Sequence, residues 1–183
     1  MRKYAVGVAI ALGAGLVSFV VGMQQDPSKR SSPPATTEIT LAGKKVKIDY
    51  GRPSMRGRKI FGELIPYGQV WRTGANEATR LTTEVDLEIG GARVPAGKYT
   101  LYTLPSESGW KLIINKQTGQ WGTEYNQAQD LARVDMKKEL IEIPIEQFTI
   151  SFLPKGRDGA TLRLDWEKTR AQADLKVIMA GVK

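Results

Sequence analysis

The residues best suited to chemistry are concentrated in one stretch, residues 50–79, which we call the central segment. Guanidinium groups form bidentate hydrogen bonds with carboxylates, sulfates and phosphates, and they stack on aromatic faces. The segment combines such cations with aromatic rings and has neither a strand nor a helix periodicity. It therefore predicts a pocket for an anionic or carbohydrate ligand. The residues predicted to bind that ligand are Arg52, Arg56, Arg58, Tyr67, Trp71, Arg72, Asn76 and Glu77.

The end of the central segment is the favoured part of this site. Trp71, Arg72, Asn76 and Glu77 stand where irregular chain enters a strand pattern, and a half-buried polar group there needs a partner. A purely structural interpretation stays open: the segment crosses one end of the sheet, its large apolar residues fill the core, and Arg72 pairs with Glu77 or caps carbonyl groups. Those apolar residues are Phe61, Leu64 and Trp71.

The chain contains no cysteine and no histidine. This composition excludes disulfides, thiolate nucleophiles, Ser-His-Asp catalysis and nearly all zinc or copper sites. We predict no cofactor, no metal and no catalytic residue, and we expect a binding protein rather than an enzyme. Two alternatives remain: an envelope hydrolase that uses Glu77 with Arg72, Tyr67 or Lys59, and a structural module without a small-molecule site.

The formal net charge is +8. A basic surface attracts anions such as acidic headgroups or acidic polysaccharides. No nucleic-acid-binding motif is present, so we do not predict nucleic acid as a partner.

The N-terminal region predicts a membrane segment. Residues 4–23 carry no charge and, as a helix, would span roughly 30 Å, the thickness of a bilayer core. Arg2 and Lys3 precede them and favour an inside N-terminus. We expect residues 1–23 to be a signal anchor in the inner membrane with a periplasmic domain, or alternatively a cleaved signal of a periplasmic or secreted protein. Residues 24–37 have the composition of a disordered tether, and 38–183 would form the domain.

The rest of the chain predicts an antiparallel β-sandwich or open barrel of about nine or ten strands. Apolar and polar residues alternate on both sides of the central segment, with turn residues between the runs. Residues 115–130 read as a long loop with at most one helical turn. The predicted strands cover residues 39–41, 46–50, 79–89, 98–104, 110–114, 131–137, 148–152, 162–166 and 171–179.

Three runs within residues 50–122 resemble a bacterial family known as domain of unknown function 2911. They are Tyr-Gly-Arg-Pro-Ser at 50–54 with Gly-Arg-Lys-Ile-Phe-Gly at 57–62, the run 66–79 from Pro66 to Thr79, and residues 95–102 with Gln-Trp-Gly at 120–122. The resemblance extends over roughly residues 37–177. It implies an exported bacterial protein with a β-rich domain, and it supplies no catalytic residues.

Overall fold

The computed structural model describes residues 30–179, which fold into nine antiparallel strands with almost no helix. A single 3₁₀ turn, Gln127–Gln129, precedes the longest strand. In the described part of the chain, no helix has the length and apolar character needed to cross a membrane. The strands are β1 (Pro34–Leu41), β2 (Lys44–Gly51), β3 (Arg80–Thr83), β4 (Leu87–Ile89), β5 (Ala92–Val94), β6 (Gly97–Pro105), β7 (Trp110–Asn115), β8 (Asp130–Lys155) and β9 (Gly159–Val177).

The strands form one sheet in the order β1-β2-β3-β6-β7-β8-β9-β4-β5. Within residues 30–179 the outer strands β1 and β5 do not pair with each other, so the sheet is not closed. The predicted all-β antiparallel fold is therefore confirmed. The predicted N-terminal helix and residues 24–29 of the predicted tether lie outside the described residues.

The core lies between the two halves of the sheet, where β2 faces β8. Alternation in β2 buries Val46, Ile48 and Tyr50, while the two charged residues between them are partly exposed on the other face. The Tyr50 ring meets Phe148 of β8 edge to face, with centroids 5.8 Å apart. The Tyr50 hydroxyl accepts a hydrogen bond from the Ile150 N–H at 3.0 Å. Burial of each large apolar side chain contributes about 1.5–3 kcal/mol to this packing.

Two predicted strands, 131–137 and 148–152, are in fact one. β8 pairs first with β7 and then with β9, and irregular pairing between Leu140 and Thr149 bends it between the two partners. The predicted strands 162–166 and 171–179 likewise join as β9. Glu167 interrupts β9 with a φ of 54°, which bends the strand without ending it.

The predicted strand 79–89 is wrong, because these residues form two separate strands, β3 and β4. The Thr83 hydroxyl donates to the Val85 carbonyl at 2.6 Å, a local turn that ends β3. β4 then pairs with β5 and β9, whereas β3 pairs with β2 and β6. Both strands bury their odd-numbered residues, so the alternation of apolar and polar residues continues through the turn. The break between β3 and β4 therefore cannot be recognised from this pattern alone.

The first strand begins at Pro34, four residues before the predicted domain boundary at residue 38. A proline is tolerated at the first position of an edge strand because no ladder donor is needed there. The Thr36 hydroxyl donates to Asp49 at 2.7 Å across the β1–β2 pair. Residues 34–37 are thus part of the sheet, which corrects the predicted extent of the tether.

Candidate functional site

The central segment is attached to both halves of the sheet by backbone hydrogen bonds. The Trp71 N–H donates to the Thr103 carbonyl at 2.8 Å, and the Thr103 N–H donates back at 2.9 Å, so the segment adds a short bridge to β6. At its other end the Met55 N–H donates to the Glu146 carbonyl of β8 at 2.8 Å. The segment therefore spans the sheet between β6 and β8.

One side of the segment fills the core. Phe61 and Trp71 are buried, as the structural interpretation expects, whereas Leu64 is 44% exposed and does not fill the core. The Trp71 ring stacks on Trp166 of β9 with centroids 5.8 Å apart, and Phe61 meets Trp110 edge to face at 4.7 Å. Such aromatic pairs add about 0.5–1.5 kcal/mol each beyond the area that they bury.

The loop after Trp71 is held in an unusual backbone conformation. Thr73 and Asn76 have φ values of 53° and 65°, in the left-handed region that non-glycine residues seldom adopt. The Thr79 hydroxyl donates to the Thr73 carbonyl at 2.7 Å and fixes the turn. A side chain at Gly51 would place its Cβ 2.2 Å from the Ala75 carbonyl oxygen, so this loop requires a glycine in β2.

The segment encloses a cleft of about 480 Å³, a size typical of small-molecule sites. Trp71 and Trp166 form part of its aromatic lining together with the rings of Tyr102 and Tyr125. The remaining lining is polar, small or aliphatic. It consists of Arg56, Arg58 and Arg72, the hydroxyl residues Ser31, Ser32, Ser54 and Thr123, and Pro53, Leu64, Ile65, Val70, Gly74, Ala75 and Gly122.

The three arginines of the cleft bind backbone carbonyl groups. Arg72 donates through Nε to Gly74 at 3.2 Å, and Arg56 donates through Nη2 to Ser31 at 3.3 Å. Arg58 donates through Nε and Nη2 to two carbonyls of its own turn, at 2.9 and 2.8 Å. Because a guanidinium has five N–H groups, each arginine keeps N–H groups that no described residue occupies.

No carboxylate of residues 30–179 pairs with these guanidinium groups. None of the arginines of the central segment takes part in an ion pair of the described residues. No described aspartate or glutamate lines the cleft. The nearby Glu146 carboxylate accepts the backbone N–H of Arg56 at 2.9 Å, not its guanidinium. The positive charge of the cleft is thus not compensated by described carboxylates.

The other predicted residues lie outside the cleft. Arg52 donates to the Phe148 carbonyl at 3.0 Å and to the Thr149 hydroxyl at 2.8 Å, which ties the segment to β8. Tyr67 lies under the ammonium group of Lys138, 5.7 Å from the ring centroid. The structure therefore brings Arg56, Arg58, Trp71 and Arg72 together and leaves Arg52, Tyr67, Asn76 and Glu77 apart from them.

Asn76 and Glu77 face an adjacent hollow of about 310 Å³. Glu77 pairs with Arg30 at 2.6 Å. Of the two structural alternatives for Arg72, the contact to a carbonyl group is therefore present, at Gly74, and the pair with Glu77 is not. The hydrogen bond from Arg30 lowers the pKa of the Glu77 carboxyl below its usual value. Lys59 pairs instead with Glu63 at 3.4 Å. The four residues of the hydrolase alternative are therefore not brought together in one cleft.

Potential metal ligands are not grouped in the described part of the chain. No cluster of three or more aspartates or glutamates occurs among residues 30–179. The chemistry available to the cleft is therefore hydrogen bonding from guanidinium and hydroxyl groups, combined with contact to aromatic rings.

A family model described as Protein of unknown function (DUF2911) matches residues 32–175. The chain belongs to this family. The match includes the whole central segment and all nine strands except the last two residues of β9. No curated protein and no solved structure matches the chain.

The predicted site of this DUF2911 chain does not include the part of the cleft lining that lies outside the central segment. Tyr102, Gly122, Tyr125 and Trp166 come from distant parts of the chain and reach the cleft only through the sheet order. Gly122 carried a usable signal, because it lies in the Gln-Trp-Gly run. A Cβ there would lie 2.8 Å from Arg72 Cδ, so its absence makes room for the arginine.

Proposed function

We propose that this DUF2911 protein binds an anionic ligand in the cleft of its central segment and does not catalyse a reaction. The observation that carries the proposal is that Arg56, Arg58 and Arg72 line one cleft without a carboxylate of residues 30–179 to pair with them. Proteins seldom collect like charges without compensation, because their mutual repulsion destabilises the folded state. An anion in the cleft would relieve that repulsion.

The ligand class follows from the chemistry of the lining. The N–H groups of Arg72 Nη1 and Nη2 form a planar fork that suits a carboxylate, a sulfate or a phosphate. The hydroxyls of Ser54 and Thr123 can exchange hydrogen bonds with further polar groups of the ligand, and Tyr102 and Trp166 offer apolar contact. An acidic group attached to a compact polar body, such as an acidic sugar or a glycerol phosphate, satisfies all three features.

The strained backbone supports a binding role. Arg56, on the cleft lining, and Asn76, in the hollow beside it, adopt positive φ values of 50° and 65°. Backbone conformations of this kind cost of order 1–3 kcal/mol each and occur most often at functional sites. The side chains of these two residues donate to the carbonyl groups of Ser31 and Ser32, so they hold this part of the chain at the cleft.

We also propose that the protein works in the bacterial envelope, with residues 4–23 anchored in the inner membrane and the β domain in the periplasm. The uncharged residues 4–23 after Arg2 and Lys3 support this placement. Cleavage of the N-terminal segment would give a periplasmic or secreted form instead. In this proposal the curled nine-stranded sheet is an open barrel whose one end carries the cleft.

The binding proposal is tested by titrating the full-length chain in detergent with glucuronate, sulfate and glycerol 3-phosphate, using isothermal calorimetry. We expect saturable binding of at least one of these anions. Arg72→Gln should weaken it at least about tenfold, because one charge-assisted hydrogen bond contributes about 1.5–3 kcal/mol.

The matched control is Arg157→Gln, which removes the same charge from the β8–β9 turn, outside the cleft lining. It should leave the dissociation constant unchanged. Equal weakening by both variants, or the absence of saturable binding to every anion, contradicts the proposed function.

A further inference from the structure

Residues 30–32 lie at the rim of the cleft. Ser31 and Ser32 form part of the cleft lining. Three contacts hold this part of the chain: Arg56 to the Ser31 carbonyl, Asn76 to the Ser32 carbonyl at 3.0 Å, and the Arg30–Glu77 ion pair. Residues 30–32 are therefore fixed beside the cleft rather than at the opposite end of the sheet.

The length of chain between the cleft and the uncharged N-terminal stretch is short. That stretch ends at Met23, and only residues 24–29 separate it from Arg30. A fully extended chain advances at most about 3.6 Å per residue, so Arg30 cannot lie more than about 25 Å from Met23. With residues 4–23 in a bilayer, the cleft is thus confined to the neighbourhood of the headgroup layer.

Exposed apolar side chains accompany the arginines at this end. Leu64 lies on the cleft lining and is 44% exposed. The irregular part of β8 presents Leu140 and Ile143, which are 80% and 79% exposed, although a soluble surface seldom presents neighbouring aliphatic side chains so fully. Ile143 precedes Glu146 by three residues, and the Glu146 carbonyl receives the Met55 N–H of the cleft rim.

Apolar side chains beside uncompensated cations are the composition of surfaces that rest on acidic membranes. The cations attract anionic headgroups, and the aliphatic side chains enter the boundary between headgroups and acyl chains. The two exposed glutamates of this part of β8, Glu142 and Glu146, oppose a diffuse attraction of the surrounding surface to anionic headgroups. This distribution favours one headgroup held within the cleft over a diffuse attraction to the whole surface.

We propose that the anion bound in the cleft is the phosphate of an acidic phospholipid headgroup, taken from the membrane beside which the tether holds the domain. The inference rests on the proposed function and names its ligand. Arg56 and Arg72 would bind the phosphate oxygens through their unoccupied N–H groups, and the hydroxyl residues would bind the polar remainder of the headgroup. Leu64, Leu140 and Ile143 would contact the boundary of the acyl chains.

The test uses the full-length chain in nanodiscs of phosphatidylcholine, with or without phosphatidylglycerol. Hydrogen exchange of the backbone amides in residues 54–58 and 72–76 is the measurement. We expect at least about tenfold slower exchange in these two ranges when phosphatidylglycerol is present, the factor that one charge-assisted hydrogen bond provides. The double variant Arg56→Gln/Arg72→Gln should remove the effect, while Arg93→Gln/Arg157→Gln, with the same loss of charge, should retain it.

Glycerol 3-phosphate added to phosphatidylcholine nanodiscs separates the two proposals. Protection by this soluble anion without protection by phosphatidylglycerol overturns the lipid inference and retains the anion-binding function. Absence of protection by either overturns both. Equal protection of wild type and the cleft double variant shows general charge attraction and overturns the headgroup site. Loss of slow exchange in β6 and β9 would show that the double variant does not fold. In that case the single variant Arg56→Gln is measured instead, and phosphatidylglycerol should protect residues 54–58 and 72–76 less than in the wild type.

Discussion

Arg72 owes its position to two small residues rather than to a charged partner. Its side chain passes over Gly122, where a Cβ would lie 2.8 Å from its Cδ, and its Nε is bound by the Gly74 carbonyl. The carbonyl fixes one edge of the guanidinium, and the other edge is directed away from it. A cation that is held by backbone oxygen keeps its full charge for a ligand, whereas an ion pair with a described carboxylate would have neutralised it.

At the scale of single residues, Gly51→Ala should destabilise the fold. Its Cβ would lie 2.2 Å from the Ala75 carbonyl oxygen, so the loop of the central segment must move away from β2. Such overpacking costs typically about 1–3 kcal/mol, which urea denaturation would measure. Gly109→Ala is the matched control, since no atom lies within 4 Å of its added Cβ. An unchanged urea midpoint for Gly51→Ala would contradict the prediction, because the loop would then move away from β2 without a loss of stability.

At the scale of elements, the bend of β9 is what attaches the central segment to the sheet. Glu167 sits at the bend, and its carboxylate accepts the N–H groups of Ile60 and Phe61, both at 3.3 Å. These two residues carry the buried part of the segment into the aromatic cluster. One side chain on one strand thus satisfies two backbone donors of an element that has no regular secondary structure.

Glu167→Asn should weaken this attachment. Asparagine tolerates the positive φ at this position but is too short to reach both N–H groups, so two buried donors lose their partner. We expect a loss of about 1–3 kcal/mol in the free energy of unfolding and faster hydrogen exchange at residues 60 and 61. Lys168→Asn, at the exposed neighbouring position, should change stability by less than about 0.5 kcal/mol. Comparable losses in the two variants would contradict this role of Glu167.

How far the sequence predicts these elements depends on whether a feature is local. The hairpin of β1 and β2 and the strands β6 and β7 follow from apolar residues and turn residues, and all are present. The turn Gln127–Gln129 lies in the segment where we expected a loop with at most one helical turn. The break between β3 and β4 and the continuity of β8 do not, because pairing partners decide them. The same limit applies to the cleft: residues 56–72 could be named from composition, whereas Trp166 reaches it only through the strand order.

At the scale of the whole molecule, the absence of histidine shapes the response to pH. Described carboxyl groups have pKa values below their usual range because of specific partners: Arg30 for Glu77, the Ala96 N–H for Asp86 and Lys155 for Asp174. Burial raises the pKa of the Tyr50 and Tyr102 hydroxyls above 10.0. Because histidine and cysteine are absent, no side chain has an ordinary pKa between those of the carboxyl groups and those of the tyrosine hydroxyls.

The free energy of unfolding should therefore be constant between about pH 5 and pH 9. Carboxyl groups with lowered folded pKa stabilise the fold above their ordinary values, and this contribution is lost as the pH falls through the folded pKa. The buried tyrosines have raised pKa values in the folded state, so above about pH 10 they ionise first in the unfolded chain. The free energy of unfolding therefore also falls above about pH 10. Urea denaturation across the range measures both limits. A step near pH 6.5 would contradict the prediction.

The sheet order also determines when the molecule can fold as it is made. β4 has its long-range partner in the last strand, since Leu87 pairs with Val177 and Ile89 with Leu175. Trp166, at the centre of the aromatic cluster, belongs to the same late strand. At the usual rate of translation, β4 waits roughly ten seconds for this partner. The apolar side chains that β4 buries against β9 consequently stay exposed on the nascent chain until residues 175–177 have been synthesised.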